Sequence, residues 1–438
     1  GWQLQGRTPV PSGEGGDLLT WSPDQVERRA LELYNASVVE DDLLKKVPVE
    51  KFRDVTIEGQ NDTVQVALRP TLYDLLAHRA LAHFANDRSY LTEPAYVFVL
   101  DQEAAFAPLA TFLTYRFDTQ DKDSGKWRAI ALFQKVLAAH RDDANPAALI
   151  DADLLRLQFA HNNSVRTDKN ALYENALQQL HTRHAAHPSD AEILYALAHL
   201  HYHHAGETTE EKVTNARKAV RECEEAISRH PGSYGAMLCR NLLNNIRLIQ
   251  LHFNVEQVSV AQSPVLATLA GRNLSELWVK VVRITTDEDY WTDIPWDGRV
   301  AHLRGLPAVQ QRTWKVEDPK DYQEHRTEIY FDGLPVGEYC ALISTNAAFD
   351  ESASPLAIAN FAVSNMAAMN YVEHSDNTGT RYVVVHRQTG APMPNVTLTA
   401  FNRQYNNGTA TYTPQGSTVT DKNGMAVVNV PENVYAQV

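Results

Sequence analysis

The sequence predicts a multidomain α + β protein in which an all-α helical-repeat solenoid is followed by two antiparallel β-sandwich domains. Three observations predict this class. Helical segments that end at a proline recur at a regular spacing as far as Pro231. After about residue 255, alternating runs rich in β-branched side chains take their place. Near the C-terminus, such runs flank turns that contain glycine and asparagine, which tolerate the positive φ of tight hairpins.

Length and composition limit the number and kind of domains. With 438 residues, and about 150 residues as a typical domain size, the chain has room for about three domains. Apolar residues make up 44% of it, enough to bury substantial cores. Gly1 is typical of a residue left by tag cleavage, and Val438 falls within an apparent strand, so we expect a piece of a longer protein. The expected order is a flexible N-terminal segment at 1–20, a helical domain at 21–254, a β-sandwich at 255–370, and a second β-sandwich at 375–438 that the C-terminus is expected to truncate.

Charge, hydropathy and cysteine content argue against several classes of protein and several kinds of site. The net charge of −14, without a basic stripe, disfavours binding to nucleic acid. No apolar run approaches the roughly 20 residues that span a bilayer, and no signal peptide is visible. Three cysteines are too few, and odd in number, for a disulfide framework, and their spacing fits no zinc site. We therefore expect Cys223, Cys239 and Cys340 to be buried free thiols.

The first helices of the helical domain are marked by start signals. Ser22 is expected to cap a helix that has Pro23 at its first position. Pro70 and Thr71 are expected to start another helix. Between these helices, the segment 47–68 has the pattern of a short strand pair around a polar turn.

A repeat decides the interpretation of the helical domain. Pro146, Pro188 and Pro231 lie 42 and 43 residues apart, and each separates two helical patterns. Proline cannot continue a helix but suits the first turn of the next one. The three helices that follow are expected at 147–161, 191–205 and 234–253. A helix pair closed by proline resembles the tetratricopeptide repeat, whose period of about 34 residues is stretched here by the loop at 206–210, so we expect a short right-handed solenoid.

The region after the solenoid contains strand patterns and a long polar stretch. The patterns favour strands at 258–269, 277–284, 327–331, 340–343 and 358–364. The polar stretch at 285–324 contains Trp291, Trp296 and Trp314. Because large aromatic side chains usually serve packing, we expect them to close the end of the sandwich or an interface with the solenoid. Stacking on a sugar or on a partner domain is the alternative.

The second β-sandwich is predicted from its turns. Runs of β-branched residues on either side of the turn at 389–392 are typical of two strands, and a third run follows the turn at 421–424. Replacing Gly390 with valine is expected to strain the first of these turns and to cost about 1–3 kcal/mol.

Four stretches, taken in order, resemble the N-terminal part of bacterial α2-macroglobulin family proteins, in particular the long Bacteroidetes-type members. The stretches are LYDLLAHRAL at 72–81, GRNL at 271–274, LPVGEY at 334–339 with FAVS at 361–364, and TGAP at 389–392 with TDKNG at 420–424. The resemblance implies that the two β-sandwiches are macroglobulin-like domains. It also implies a periplasmic or outer-membrane-anchored lipoprotein.

The resemblance further implies a non-catalytic protein that traps proteases. In proteins of this family, the protease cuts a bait segment and the trapping protein rearranges around it. A thioester between a Cys and a Gln can then couple to the protease. Its partners would be proteases and the downstream domains of the same chain. The thioester pattern does not occur here, because Cys223-Glu224-Glu225 is followed by Ala226 where the pattern has glutamine, so a bait or thioester is expected beyond Val438. The alternative class is an envelope helical-repeat adaptor that uses its β-sandwiches as spacers.

The residue patterns predict no catalytic, cofactor-binding or metal-binding residue. His199 and His203 lie four residues apart on one helix face, as a metal pair does, but Leu200 stands where a zinc peptidase needs glutamate. We expect a solvated or packed histidine face, with a zinc-dependent hydrolase as a distant alternative. The acidic loop at 118–123 is expected to be solvated, because it lacks the full calcium-loop register. No Gly-x-Ser-x-Gly elbow or phosphate-binding glycine loop occurs.

Overall fold

Two compact units make up the chain, Gly1–Ile246 and Arg247–Val438. The computed structural model describes residues 21–55, 68–86, 95–204, 206–284, 298–372, 380–406, 409–428 and 434–437. In these ranges the first unit is helical and the second is built mainly of β-sheets, so the protein is multidomain and α + β, as the sequence predicts. The segment expected to be flexible, 1–20, lies outside the described residues.

Helices of the first unit follow one another along the chain and pack in sequence. They are α1 Pro23–Ala36, α2 Asp41–Leu44, α3 Leu72–Phe84, α4 Leu109–Thr114, α5 Gly125–His140, α6 Ala147–Asn163, α7 Lys169–His184, α8 Asp190–His203, α9 Thr209–Arg229 and α10 Tyr234–Arg247, with 3-10 helices at Val49–Val55 and Glu103–Phe106. Consecutive helices in the series α5 to α9 pack against one another, and α3 packs on α5. Among the described helices, none is long and apolar enough to cross a membrane.

The predicted starts of α1 and α3 are confirmed by their caps. The Ser22 hydroxyl accepts the Gln25 amide N–H at 3.3 Å, and the Gln25 side chain accepts the Ser22 amide N–H at 2.9 Å. Thr71 and Asp74 form the same reciprocal pair at the start of α3. These side chains satisfy N–H groups that have no partner in the first turn of a helix.

Two expected elements differ from the structure. The strand pair expected at 47–68 is wrong where it can be compared, because Val49–Val55 is a 3-10 helix. Its expected turn lies outside the described residues. The helix expected at 234–253 ends at Arg247, and Gln250–Val255 forms a strand. The pairing of this strand with a neighbour outweighs its helical pattern.

The three prolines precede helices at slightly different distances. Pro146 is the residue directly before α6, whereas α8 and α10 begin two and three residues after Pro188 and Pro231. A glycine brings α10 close to α8, because a Cβ on Gly235 would overlap the backbone carbon of Ala191. The recurring prolines therefore correspond to helices that share one side of the unit.

The described residues of the second unit form four sheets. Its elements are β1 Gln250–Val255, β2 Val258–Ser259, β3 Val265–Arg272, β4 Glu276–Ile284, α11 Arg299–Gly305, β5 Ala308–Lys315, β6 His325–Phe331, β7 Gly337–Ser344, β8 Leu356–Val363, β9 Met366–Val372, β10 Thr380–His386, β11 Thr397–Asn406, β12 Thr409–Val419, β13 Met425–Val428 and β14 Val434–Gln437. The sheet orders are β1-β3-β6, β2-β8-β7-β4-β5, β13-β10-β9 and β12-β11-β14. Among the described pairings, the two-residue pair of β2 with β8 is parallel and the others are antiparallel.

Apolar cores hold the sheets together in pairs. Val265 and Phe331 of the first sheet share a buried cluster with Leu277 of the five-stranded sheet. Val384 of β10 and Leu398 of β11 share a second buried cluster in the remaining two sheets. Two layers that enclose an apolar core form a β-sandwich, so the second unit contains two of them.

The boundary between the two β-sandwiches lies earlier than expected. β9 pairs with β10 from Met366 to Val372, and Met366 packs against the second core. The second sandwich therefore begins at Met366 and not at residue 375, because the hydrogen-bond partners of β9 belong to it.

Regular structure occupies part of the expected polar stretch at 285–324. Helix α11 and strand β5 lie within it. Trp314, on β5, packs against the first core, with its ring centroid 6.0 Å from that of Phe331. The expected packing role is confirmed for Trp314, whereas Trp291 and Trp296 lie outside the described residues.

Candidate functional site: a groove in the helical unit

A groove of about 300 Å³ lies among helices of the first unit and is called the helical groove below. Helices α6, α8 and α10, which follow the three prolines, line most of it, and α7 contributes Tyr173. Leu154, Leu155 and Leu238 supply apolar wall. The lining positions of α6 and α8 recur every three or four residues, which is the spacing of a single helix face.

Two carboxylates, Asp151 of α6 and Glu192 of α8, form what we call the acidic end of the groove. Asp151 Oδ2 is buried and has no hydrogen-bond partner. Arg69 Nη2 and His78 Nε2 each lie 3.6 Å from it, beyond ordinary hydrogen-bond distance. Within the described residues, the Glu192 side chain forms neither a hydrogen bond nor an ion pair. This end of the groove therefore has one buried oxygen without a hydrogen bond, on Asp151, and one half-buried carboxylate without a protein partner among the described residues, on Glu192.

The pKa of Glu192 reflects this environment. Burial raises the pKa of the carboxyl from 4.5 to about 7, and the negative charge of Asp151 adds to the shift. A strongly perturbed carboxyl in a cleft is a recognised marker of a functional site. Near neutral pH, Glu192 is divided between its charged and neutral forms, and a nearby cation would favour the charged form.

The opposite lining of the groove is aromatic. The rings of His161 and Tyr173 stack with their centroids 4.5 Å apart, and His161 Nε2 lies 2.7 Å from Asn170 Oδ1. His204 meets the His161 ring edge-on at 5.4 Å. Burial lowers the pKa of His161 and raises that of Tyr173 to about 12, so both rings are neutral near pH 7. This lining offers flat surfaces and hydrogen-bonding edges without adding positive charge.

The histidines singled out in the sequence have separate environments. His199 and His203 are exposed, with their ring centroids 4.2 Å apart. His201 is buried, and its two ring nitrogens lie 2.9 Å from Glu222 and 3.0 Å from Glu174. No group of three or more His, Cys, Asp or Glu side chains among the described residues is arranged to hold a metal ion. Of the described histidines on α8 and at its end, His199 and His204 line the groove, and His201 and His203 do not.

The cysteines and the acidic loop serve packing. Cys223, Cys239 and Cys340 are buried free thiols, which confirms the expectation, and burial raises the pKa of Cys340 to about 12. Asp121 of the acidic loop is buried as well, so the expectation of a fully solvated loop is wrong there. Its carboxylate accepts the Phe98 amide N–H at 3.2 Å and fixes the preceding segment.

Sequence reasoning missed the acidic end. The available signal was the helical spacing of polar residues downstream of each proline, which places Asp151 and Glu192 early in α6 and α8. Such spacing is ordinarily interpreted as a solvated helix face. Only the packing of α6 beside α8 shows that the two faces meet in a partly buried groove.

A second depression, of about 620 Å³, lies on the outer face of the sheet β1-β3-β6. Its polar residues, which include His252, Glu324, Arg326 and Glu328, are exposed to solvent. Solvent therefore satisfies their charges and hydrogen bonds. For this reason the helical groove, in which the buried Asp151 Oδ2 has no hydrogen bond, is the stronger candidate site.

Comparisons with known proteins give no family. No protein-family model and no curated protein matches the chain. One similar solved structure is that of red sea bream transglutaminase, with 10% sequence identity and a TM-score of 0.21. The match covers 48% of this chain and 30% of the transglutaminase, and a likeness this weak supports no conclusion about fold or activity.

Proposed function

We propose that this chain is the non-catalytic N-terminal part of a protease-trapping protein of the α2-macroglobulin type in the bacterial envelope. In this proposal, the helical unit is a tetratricopeptide-like solenoid and the two β-sandwiches are macroglobulin-like domains. The ordered sequence stretches at 72–81, 271–274, 334–339 and 389–392 support it. The parent protein would be periplasmic or anchored in the outer membrane.

The observation that carries the proposal is the pair of consecutive β-sandwiches. Each has its own apolar core, around Phe331 in the first and Val384 in the second. Only Ser364 and Asn365 separate the last strand of one from the first strand of the next. Closely joined modules of this kind can supply the wall of a cage, because they hold shape without contributing reacting groups.

The test uses the full-length parent protein and a broad-specificity serine protease. We expect cleavage of the parent to leave the protease in a high-molecular-weight complex, where it still hydrolyses a small chromogenic peptide but no longer digests casein. A catalytically inactive form of the protease is the control, since it cannot cut a bait and is expected to elute alone. Equal digestion of casein with and without the parent would count against a trap.

The helical groove favours a second function, that of a helical-repeat adaptor. A groove with unsatisfied carboxylates and aromatic walls suits a segment of a partner protein. The β-sandwiches would then be spacers. A parent lacking residues 21–246 separates the two functions: a trap that depends on the β-sandwiches retains the protease, whereas an adaptor loses its partner.

A further inference from the structure

We propose that the acidic end of the helical groove binds the side chain of one lysine or arginine in an extended segment of a partner protein. This inference deepens the adaptor function and rests on it. It identifies the chemistry of the partner and the two residues, Asp151 and Glu192, that recognise it.

The first argument is the set of buried polar atoms around Asp151. Asp151 Oδ2, His78 Nε2 and Arg69 Nε are all buried without hydrogen-bond partners. The His78 side chain is nine-tenths buried and directs Nε2 toward Asp151 from 3.6 Å. Buried polar groups in folded proteins nearly always form hydrogen bonds, whereas Asp151 Oδ2 has only two ion-pair contacts of 3.6 Å, so a closer polar partner is expected here.

The second argument is the local charge. Asp151 and Glu192 supply two negative charges when both are ionised, and Arg69, 3.6 Å from Asp151, supplies one positive charge. One negative charge is left over in a partly buried site. Burial makes such a charge costly unless an opposite charge accompanies it, so the acidic end is matched to a single cation.

The third argument is the shape and lining beside the carboxylates. Leu154, Leu155 and Leu238 provide the apolar surface that the long aliphatic stem of lysine or arginine requires. Tyr195, which also lines the groove, adds an aromatic face that favours cations. A bare metal ion would gain nothing from these walls, and two carboxylates offer it too few ligands.

The groups that control the pH dependence come from several helices. They are Asp151 and His161 on α6, Tyr173 on α7, Glu192, Tyr195 and His199 on α8, His204 at its end, and Arg69 and His78 beside Asp151. The pKa of Glu192 is about 7, so this carboxylate ionises between about pH 6 and pH 8. Binding of a cation should therefore strengthen roughly tenfold over this range.

The test measures binding of four short peptides to the 438-residue chain by ligand-observed NMR. The peptides are acetylated, amidated and identical except for a central lysine, arginine, norleucine or glutamate. We expect the lysine and arginine peptides to bind and the other two to bind at least about tenfold more weakly. Comparison of lysine with arginine identifies the preferred cation, and titration with calcium chloride tests a metal ion at the same site.

Variants connect the binding to the two carboxylates. Glu192→Gln and Asp151→Asn are each expected to weaken binding of the lysine peptide about tenfold, and Glu192→Gln should also flatten its pH dependence. Glu210→Gln, at an exposed position of α9, is the matched control and should leave binding unchanged. If Asp151→Asn does not fold, Glu192→Gln alone decides the question.

Each other outcome overturns the inference in a distinct way. Equal binding of the norleucine peptide would mean that the groove recognises apolar side chains. Calcium binding that is lost in Glu192→Gln would mean a metal site. Binding of no peptide would remove this inference alone, while the adaptor function would stand or fall on the parent that lacks residues 21–246 and the protease-trapping function on the casein assay.

Discussion

Asp74 is a buried carboxylate and Glu192 a half-buried one, both on helices, yet their surroundings shift their pKa values in opposite directions. Burial alone would raise the pKa of Asp74, but hydrogen bonds from His140 and Thr71 lower it below 3.8. Glu192 has burial without such donors, and its pKa rises to about 7. The contrast separates a carboxylate whose hydrogen-bond donors are built into the fold from one that has no such donor in the described residues.

Replacing Glu192 with glutamine is expected to stabilise the protein at alkaline pH. The pKa of the carboxyl is raised from 4.5 to about 7 in the folded state. The folded state therefore loses stability relative to the unfolded state as pH rises from 4.5 through 7. The variant should gain roughly 1–3 kcal/mol of unfolding free energy at pH 8 and nothing at pH 4. Urea unfolding at both pH values measures this, with Glu210→Gln as the control. A loss of stability at pH 8 would mean that Glu192 has a stabilising partner.

The His140–Asp74 pair should stabilise the helical unit within a defined pH window. Burial alone would lower the pKa of His140, but hydrogen bonds with Asp74 at 2.9 Å and Asp143 at 2.7 Å raise it above 6.5. The contribution of His140 to the free energy of unfolding is therefore complete below pH 6.5, and it is lost as pH rises through the raised pKa of His140. The contribution of Asp74 is present above pH 3.8 and is lost as pH falls through its lowered pKa.

His140→Gln should accordingly cost about 1–3 kcal/mol near pH 6, and the difference from the wild type should shrink as pH rises. Unfolding free energies measured by urea titration from pH 5 to pH 9 give this comparison. His203→Gln, at an exposed position of α8, is the control. A cost that stays constant over the whole range would assign His140 a packing role without charge.

Close approach of two helices at Gly235 gives a prediction at the scale of elements. A Cβ on Gly235 would overlap the backbone of Ala191 and Glu192, whereas one on Gly232, three residues earlier, has no atom within 4 Å. Gly235→Ala should cost about 1–3 kcal/mol, because helix backbones cannot give way as a flexible side chain can. Gly232→Ala should be nearly neutral. Equal melting temperatures for the two variants would place α10 further from α8.

The two turns of the second β-sandwich provide a matched pair of glycines. Gly390 and Gly424 have φ values of 71° and 72°, but a Cβ on Gly390 meets open space whereas one on Gly424 would overlap the Val384 carbonyl oxygen. Gly390→Ala should cost about 1 kcal/mol from backbone strain alone. Gly424→Ala should cost at least about 2 kcal/mol, because steric overlap is added. Thermal unfolding of both variants measures the difference, and a larger loss for Gly390→Ala would contradict this placement.

Helix starts, proline junctions and hairpin turns were predictable because each depends on residues close together in the sequence. Ser22 and Thr71 form their caps with partners three residues away. The end of α10 and the start of the second sandwich were not predictable. Gln250–Val255 is a strand because β3 pairs with it, and β9 belongs to the second sandwich because β10 pairs with it. Such partners lie too far along the chain for a local pattern to identify them.

For the whole molecule, the two compact units predict two separable unfolding transitions. Each unit has its own buried core, so a change in one should leave the stability of the other unaltered. In differential scanning calorimetry, Gly235→Ala should lower only the melting temperature of the helical unit. Gly424→Ala should lower only a melting temperature of the β-sandwich unit. A single transition that both variants shift equally would mean that the units unfold together.

The sequence by itself determined the α + β class, the order of helices before strands, and the buried state of the cysteines. Periodicity, caps and turn residues act locally, so they can be interpreted without knowledge of the fold. Only the tertiary structure decided that Asp151 and Glu192 share one groove, since their meeting depends on how α6 packs beside α8. The raised pKa of Glu192 is likewise a consequence of burial, and burial exists only once the helices have come together.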